Sequence, residues 1–180
     1  MKYNLKFFIL ILVFVNAHSQ DKKLEAENFY KSIIKTYFDK DCDKLYNSIN
    51  DSITILGSSD GKIYSSAKIK ESRKACGKFE QFTSDLISYE NYIENYEILV
   101  LSKYEFTSDI NSVIDKEYWE RLSMFDVFQN IKNYENIFSS LDYFIIGKIN
   151  KNEKAKDLSG PFLYIVRETA DGWRIFGSIK

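Results

Sequence analysis

The sequence predicts an α+β fold, with helices concentrated in the first half of the chain and long antiparallel strands in the second. Three observations lead there. Apolar residues recur at helical spacing over 26–38, alternate at period two around Ile53-Thr54-Ile55 and Tyr96–Val100, and form two runs near the C-terminus separated by Asp171-Gly172.

The chain begins with Lys2 and Lys6, then nine apolar residues from Phe7 to Val15, then Asn16-Ala17-His18-Ser19 with small residues at 17 and 19. That is the basic, apolar and small-x-small pattern of a secretory signal peptide. Residues 1–19 are therefore expected to be a signal peptide, and 20–180 the mature domain, with Gln20 as its first residue. The apolar run is shorter than the roughly 20 residues that span a bilayer. An uncleaved anchor, or a buried N-terminal helix or strand, is the alternative. No Cys follows the run, which argues against a lipid anchor. The expected location is periplasmic or extracellular, with no membrane span after cleavage.

Cleavage removes Lys2, Lys6 and His18, so Lys plus Arg falls from 25 to 23 against 26 acidic residues, a formal charge of about −3. That balance argues against a nucleic-acid partner. His18 is the only histidine. Without it the mature chain lacks the commonest general base near neutral pH, the nucleophile systems built on His, and the usual His/Cys zinc sites. No phosphate-binding glycine loop or paired metal-ligand run appears. No cofactor, metal or catalytic residue is assigned. Two cysteines remain, Cys42 and Cys76. An even count in an exported chain reads first as a disulfide. Two buried free thiols are the alternative.

The elements follow in order. Ala26, Phe29, Tyr30, Ile33, Ile34, Tyr37 and Phe38 mark an amphipathic helix over about 22–38. Asp39-Lys40-Asp41 breaks it, and Asp41 can cap a short helix with Cys42, Leu45, Tyr46 and Ile49 on one face. Asp51–Leu56 reads as a strand, residues 57–61 as a turn, and Lys62-Ile63-Tyr64 as the start of a return strand. Ser65 or Ser66 can cap a third helix over about 66–78. Tyr89 to Thr107 favours strand, with a turn near Glu94-Asn95, two-faced burial around Tyr96–Leu101, and Tyr104 and Phe106 continuing the alternation. Residues 115–131 carry Trp119, Leu122, Phe125, Phe128 and Ile131 at helical steps. Asp142–Ile149 is a strand, 150–160 a charged loop, and Phe162–Glu168 with Trp173–Ile179 a closing hairpin.

Three pieces carry a family resemblance. They are the helix ending in Asp39-Lys40-Asp41-Cys42-Asp43-Lys44-Leu45, the segment from Ile53-Thr54-Ile55 through Gly61 into Ile69, and the ending Phe162–Glu168 with Asp171-Gly172-Trp173-Arg174-Ile175. Together they make the chain resemble the NTF2-like, or SnoaL-like, cone-fold superfamily. The resemblance implies N-terminal helices packed on a curved antiparallel sheet, a pocket between sheet and first helix, and dimers formed through the sheet. The departure is Ser108–Ser140, where a helical insertion near 110–138 is expected to lie over the mouth of the cone.

The resemblance does not transfer a catalytic site. In the ketosteroid isomerase pattern the base falls at Leu56 or Gly57 and the tyrosine near Ile33, so neither position carries the required group. Asp142, Arg121 and Arg167 have no spacing that argues for an Asp-Arg-Asp epoxide hydrolase. Candidate ligand-lining residues are Tyr30 and Tyr37, seven apart on one helix face, together with Tyr104 and Trp119. Each has ordinary core packing as its commoner role. Asp142 reads as a strand-edge or capping residue. The expected function is a non-catalytic exported domain that binds a small apolar or aromatic ligand or mediates association. A His-free isomerase or lyase using carboxylate and Tyr chemistry is the alternative. A structural envelope protein without a ligand is a third.

Overall fold

The computed structural model describes residues 3–56, 63–77, 88–94, 96–108, 137–149 and 163–179. Helix α1 spans Tyr3–Phe38, α2 Cys42–Ser48, strand β1 Ile49–Leu56, β2 Ile63–Ala67 and α3 Lys68–Cys76. Then come α4 Tyr89–Glu94, β3 Tyr96–Ser102, α5 Lys103–Ser108, β4 Asp142–Ile149, β5 Leu163–Thr169 and β6 Gly172–Ile179. The predicted turn at 57–61, the helix at 115–131, most of the insertion near 110–138, and the loop at 150–160 fall largely or wholly outside the described residues.

Helix α1 begins well before the expected residue 22, because no Gly or Pro interrupts Tyr3–Phe38. Its periodicity is visible only near Ala26, where one face meets the sheet. Ala26, Tyr30, Ile33, Ile34 and Tyr37 form that buried face. The helix stops at Lys40, whose φ of 55° is left-handed. The Asp41 amide then donates back to the Thr36 carbonyl at 3.1 Å, the closing bond of a Schellman turn. Asp41 caps α2 as expected, its carboxylate accepting from the Lys44 amide at 2.9 Å. Leu45 and Ile49 turn inward, but Tyr46 does not. It lies outward beneath the Lys68 ammonium, 4.5 Å from the ring centre.

The six strands form one mixed sheet in the order β2-β1-β6-β5-β4-β3. Among the described strands only β1 against β6 is parallel; the other four pairs are antiparallel. The β5–β6 hairpin turns through Ala170-Asp171, with Gly172 at φ 98°. Neither turn residue has positive φ, so this is a type I turn closed by a glycine bulge rather than a mirror-image turn centred on Asp-Gly. The Thr169 hydroxyl donates to the Gly172 carbonyl at 2.7 Å and fixes the bend. Further along β6, a Cβ on Gly177 would stand 2.9 Å from the Thr54 carbonyl oxygen and 2.8 Å from Ile165 Cδ1. Glycine is what lets β6 lie this close to both neighbours.

Three expectations are corrected. First, 89–107 is not strand throughout: α4 and α5 flank β3. Ser102 and Glu105 form a capping box that starts α5. The Glu105 carboxylate accepts from the Ser102 amide at 2.9 Å and hydroxyl at 2.7 Å, and the Glu105 amide donates to the Ser102 hydroxyl at 3.3 Å. This local pairing overrides the alternation of Tyr104 and Phe106. Second, Ala67, not a serine, precedes α3. The Ser66 hydroxyl instead donates to Glu71 at 2.7 Å. Third, the sheet is mixed and not antiparallel throughout, because β1, which enters from α2, runs alongside β6 in the same direction.

On the α1 side, Val100, Ile145, Val166, Ile175, Ile53 and Ile55 form one buried cluster with Ala26, Tyr30, Ile33, Ile34 and Tyr37 of the helix. On the opposite side, Leu101, Phe144, Ile146, Leu163 and Ile165 are also buried. There Phe106 stacks on Phe144 at 3.8 Å between ring centres, and Phe138 meets it edge-on at 5.1 Å. The reading of β3 as buried on both faces holds at Val100 and Leu101.

Candidate functional site

The space between α1 and the sheet is where the resemblance implies a pocket. Tyr30 and Tyr37 stand there two turns apart on α1, as their seven-residue spacing requires. Tyr30 is 2% exposed and Tyr37 9%. The Tyr30 ring lies 5.9 Å from that of Tyr164 on β5. Tyr37 and Tyr164 are joined through their hydroxyls. From α4, Tyr92 packs at 1% exposure, and its ring meets Phe38 edge-on at 5.5 Å.

Burial and the Tyr164 hydroxyl beside it push the Tyr37 phenol well above the ordinary range. Burial also raises Tyr164, against the hydrogen bond from Tyr37 that pulls it down. Both phenols stay protonated at neutral pH, so these two side chains present neutral hydroxyls.

A second cluster closes the space nearer residue 22 of α1. Lys22 reaches Glu168 at the end of β5 and Glu25 on its own helix, both at 2.9 Å. Its hydrogen bonds to those carboxylates hold the ammonium above its usual value. Lys23 pairs with Glu105 of α5. Burial raises the Glu105 carboxyl, but Lys23 and the two Ser102 bonds together outweigh it, and the net shift is downward. Beneath them Tyr143 meets Trp173 edge-on at 5.6 Å, and Trp173 packs on Phe29 at 6.4 Å. Burial lifts the Tyr143 phenol; Lys22 opposes this, while Glu105, Glu168 and Glu25 reinforce it.

Asp142 and Arg167 are brought together by the β4–β5 register, in which they are direct partners. Arg167 Nε and Nη2 donate to the two Asp142 oxygens at 2.6 and 3.1 Å, and the Ser139 amide donates to Oδ2 at 2.7 Å. The guanidinium lies 4.2 Å from the Phe176 ring centre. Asp142 alternates with Tyr143 and Ile145, so this pair sits on the sheet face away from Tyr30 and Tyr37. Its carboxylate is engaged on both oxygens. The geometry anchors the 139–142 turn to β5 and does not join an acid to the tyrosines.

The other candidate residues fall elsewhere. Tyr104 lies on α5, not on a strand, and is 78% exposed. It faces away from the α1–sheet interior. Trp119 lies outside the described residues. Cys42 and Cys76 are bridged, with Cα atoms 5.7 Å apart, and tie the start of α2 to the end of α3. Among the described residues no group of three His, Cys, Asp or Glu side chains gathers as a metal site. Reading the sequence alone misses Tyr164 and the Asp142–Arg167 pair. Alternation along Tyr164, Val166 and Glu168 was the available signal for the first; the second needed the strand register.

No family model matches the chain, and no curated protein matches it. Among solved structures it is similar to a DUF4783 family protein from Bacteroides ovatus, with a TM-score of 0.38 and 9% identity over 82% of this chain and 88% of that one. A DUF4783 family protein from Bacteroides fragilis has a TM-score of 0.38 and 8% identity over 82% and 91%. A domain of unknown function with a cystatin-like fold, from Nostoc punctiforme, has a TM-score of 0.37 and 9% identity over 89% and 75%.

Proposed function

We propose that this chain is an exported, non-catalytic NTF2-like domain that works by association through its surface, not by turnover or by holding a small ligand between α1 and the sheet. One observation carries the reading: the α1–sheet interior is occupied by the chain's own side chains, with Tyr30, Ile33, Ile34, Tyr92, Ile145 and Val166 each at 2% exposure or less. A ligand would have to displace packed aromatics.

The superfamily reading is supported by the element order. Helix α1, the Asp41-capped α2, the β1–β2 hairpin, α3 and the closing β5–β6 hairpin follow the three resembling segments in sequence. Export is supported by the basic, apolar and small-x-small order of residues 1–19 and by the Cys42–Cys76 bridge. No helix among the described residues is long and apolar enough to cross a membrane. Association through the strand faces would require a different arrangement from the expected sheet-face dimer, because Leu101, Phe144, Ile146, Leu163 and Ile165 are already covered within the chain. Exposed apolar side chains lie beside that layer instead, at Tyr104, Ile137 and Leu141. The Lys103 ammonium, donating to the Phe138 carbonyl at 2.6 Å, ties their two segments together.

Native mass spectrometry of protein purified from its own host tests this. The expected spectrum contains the protein assembled with a second copy or another chain, with no small molecule retained; a spectrum of the lone chain only would overturn the association. A copurifying ligand lost on Tyr30→Ala substitution would overturn the filled-interior reading and restore the pocket.

A further inference from the structure

We infer that Gln20 is a modification site, converted to an N-terminal pyroglutamyl residue once the chain is cut after Ser19. The inference rests on the export reading and deepens it. Among the described side chains, the first that ties α1 to the rest of the fold is Lys22, through Glu168; Lys23 and the fully buried Ala26 follow. Gln20 is exposed and precedes all of them. A cut at Ser19–Gln20 thus removes none of these attachments and leaves Gln20 as the first residue of α1.

That position sets up a ring closure within one residue. The freed α-amine attacks the side-chain amide carbon of Gln20. A bond forms between the α-nitrogen and Cδ, the bond from Cδ to the side-chain nitrogen breaks, and that nitrogen leaves with the displaced proton as ammonia. No oxidant, reductant or second substrate is needed. The helix favours the product. An α-ammonium at the start of α1 would add a positive charge to the positive end of the helix dipole, and the neutral lactam removes it. The lactam also leaves no free amine for an aminopeptidase, so the short segment before Lys22 is shielded from trimming toward the ion pairs.

The test is intact-mass and N-terminal peptide mass spectrometry of protein recovered from its own host, with an amine-reactive label applied at harvest. The expected result is a chain starting at Gln20, short by the mass of one ammonia and unlabelled at its N-terminus. A Gln20→Ala variant, cut at the same bond, should begin at the substituted residue with its full mass and take the label. A chain that starts at Gln20 with full mass and a labelled amine overturns the modification while leaving export intact. A chain that retains Met1–Ser19 overturns the export reading itself, and the modification with it.

Discussion

Lys40 holds a left-handed backbone at φ 55°, a conformation that costs a residue with a Cβ about 1–2 kcal/mol. Glycine enters it without that cost but loses more chain entropy on folding. Lys40→Gly is therefore expected to raise stability by about 0.5–1 kcal/mol, seen as a higher urea midpoint at unchanged slope. A lower midpoint would mean that the Lys40 side chain contributes more than its backbone costs. The Asp142–Arg167 pair makes the opposite kind of prediction. Asp142 has 2% side-chain exposure and accepts a two-pronged bond. Arg167→Ala leaves a buried carboxylate without its cation and should cost about 3 kcal/mol. Arg167→Lys should recover only part of that, because an ammonium cannot reproduce the fork. A urea midpoint for Arg167→Lys equal to that of the unsubstituted protein would show that charge alone matters. The Asp41 cap was legible from local sequence, since its acceptor and donor lie three residues apart. The Asp142–Arg167 partnership spans 25 residues and depended on the register of two strands.

At the scale of elements, α3 is weakly anchored by apolar packing. Its buried residues are Glu71 and Ser72; Ala75 and Cys76 are only partly buried against the core. The disulfide to Cys42 and the Ser66–Glu71 bond carry much of its attachment. Reduction should cost about 3–4 kcal/mol by the chain-entropy relation for a bridge of 34-residue separation. Hydrogen exchange should quicken across 68–76 while β4, β5 and β6 keep their protection. Uniform quickening would show that the bridge stabilises the domain as a whole. The strands of the second half were legible because period-two apolar patterning and turn residues are local signals, and Asp142–Ile149 begins and ends where expected. The strand reading of Tyr104 and Phe106 failed because the Ser102–Glu105 capping box competes with alternation over the same residues. A four-residue window cannot show which of the two will be reinforced by packing; Phe106 against Phe144 decides it.

For the molecule as a whole, the buried tyrosines make stability depend on pH at the alkaline end. Tyr37, Tyr164 and Tyr143 all have folded-state values above the ordinary phenol value. Above about pH 10 the unfolded chain loses these protons while the folded chain keeps them. The unfolded state then binds fewer protons, and stability falls as pH rises. Their stabilising contribution is fully present below the unfolded phenol value. A Tyr37→Phe, Tyr164→Phe variant should show a flatter loss of stability between about pH 10 and 12 in urea titrations. Glu105 acts at the acid end. Its lowered value contributes stability above the unfolded carboxyl value, and that contribution is lost as pH falls through the folded one, so Glu105→Gln should flatten the acid limb. By itself the sequence determined the α+β class, the amphipathic face of α1, the Asp41 cap and the closing hairpin, because each rests on short-range periodicity or a turn residue; the even Cys count pointed to a bridge, and the meeting of α2 and α3 made it. Tertiary structure decided the rest. It set the parallel meeting of β1 and β6, the apolar layer on the second sheet face, the Tyr37–Tyr164 pair and the outward turn of Tyr104. Those depend on which distant segments share a surface, and burial of a side chain is a property of both partners, not of either one's sequence.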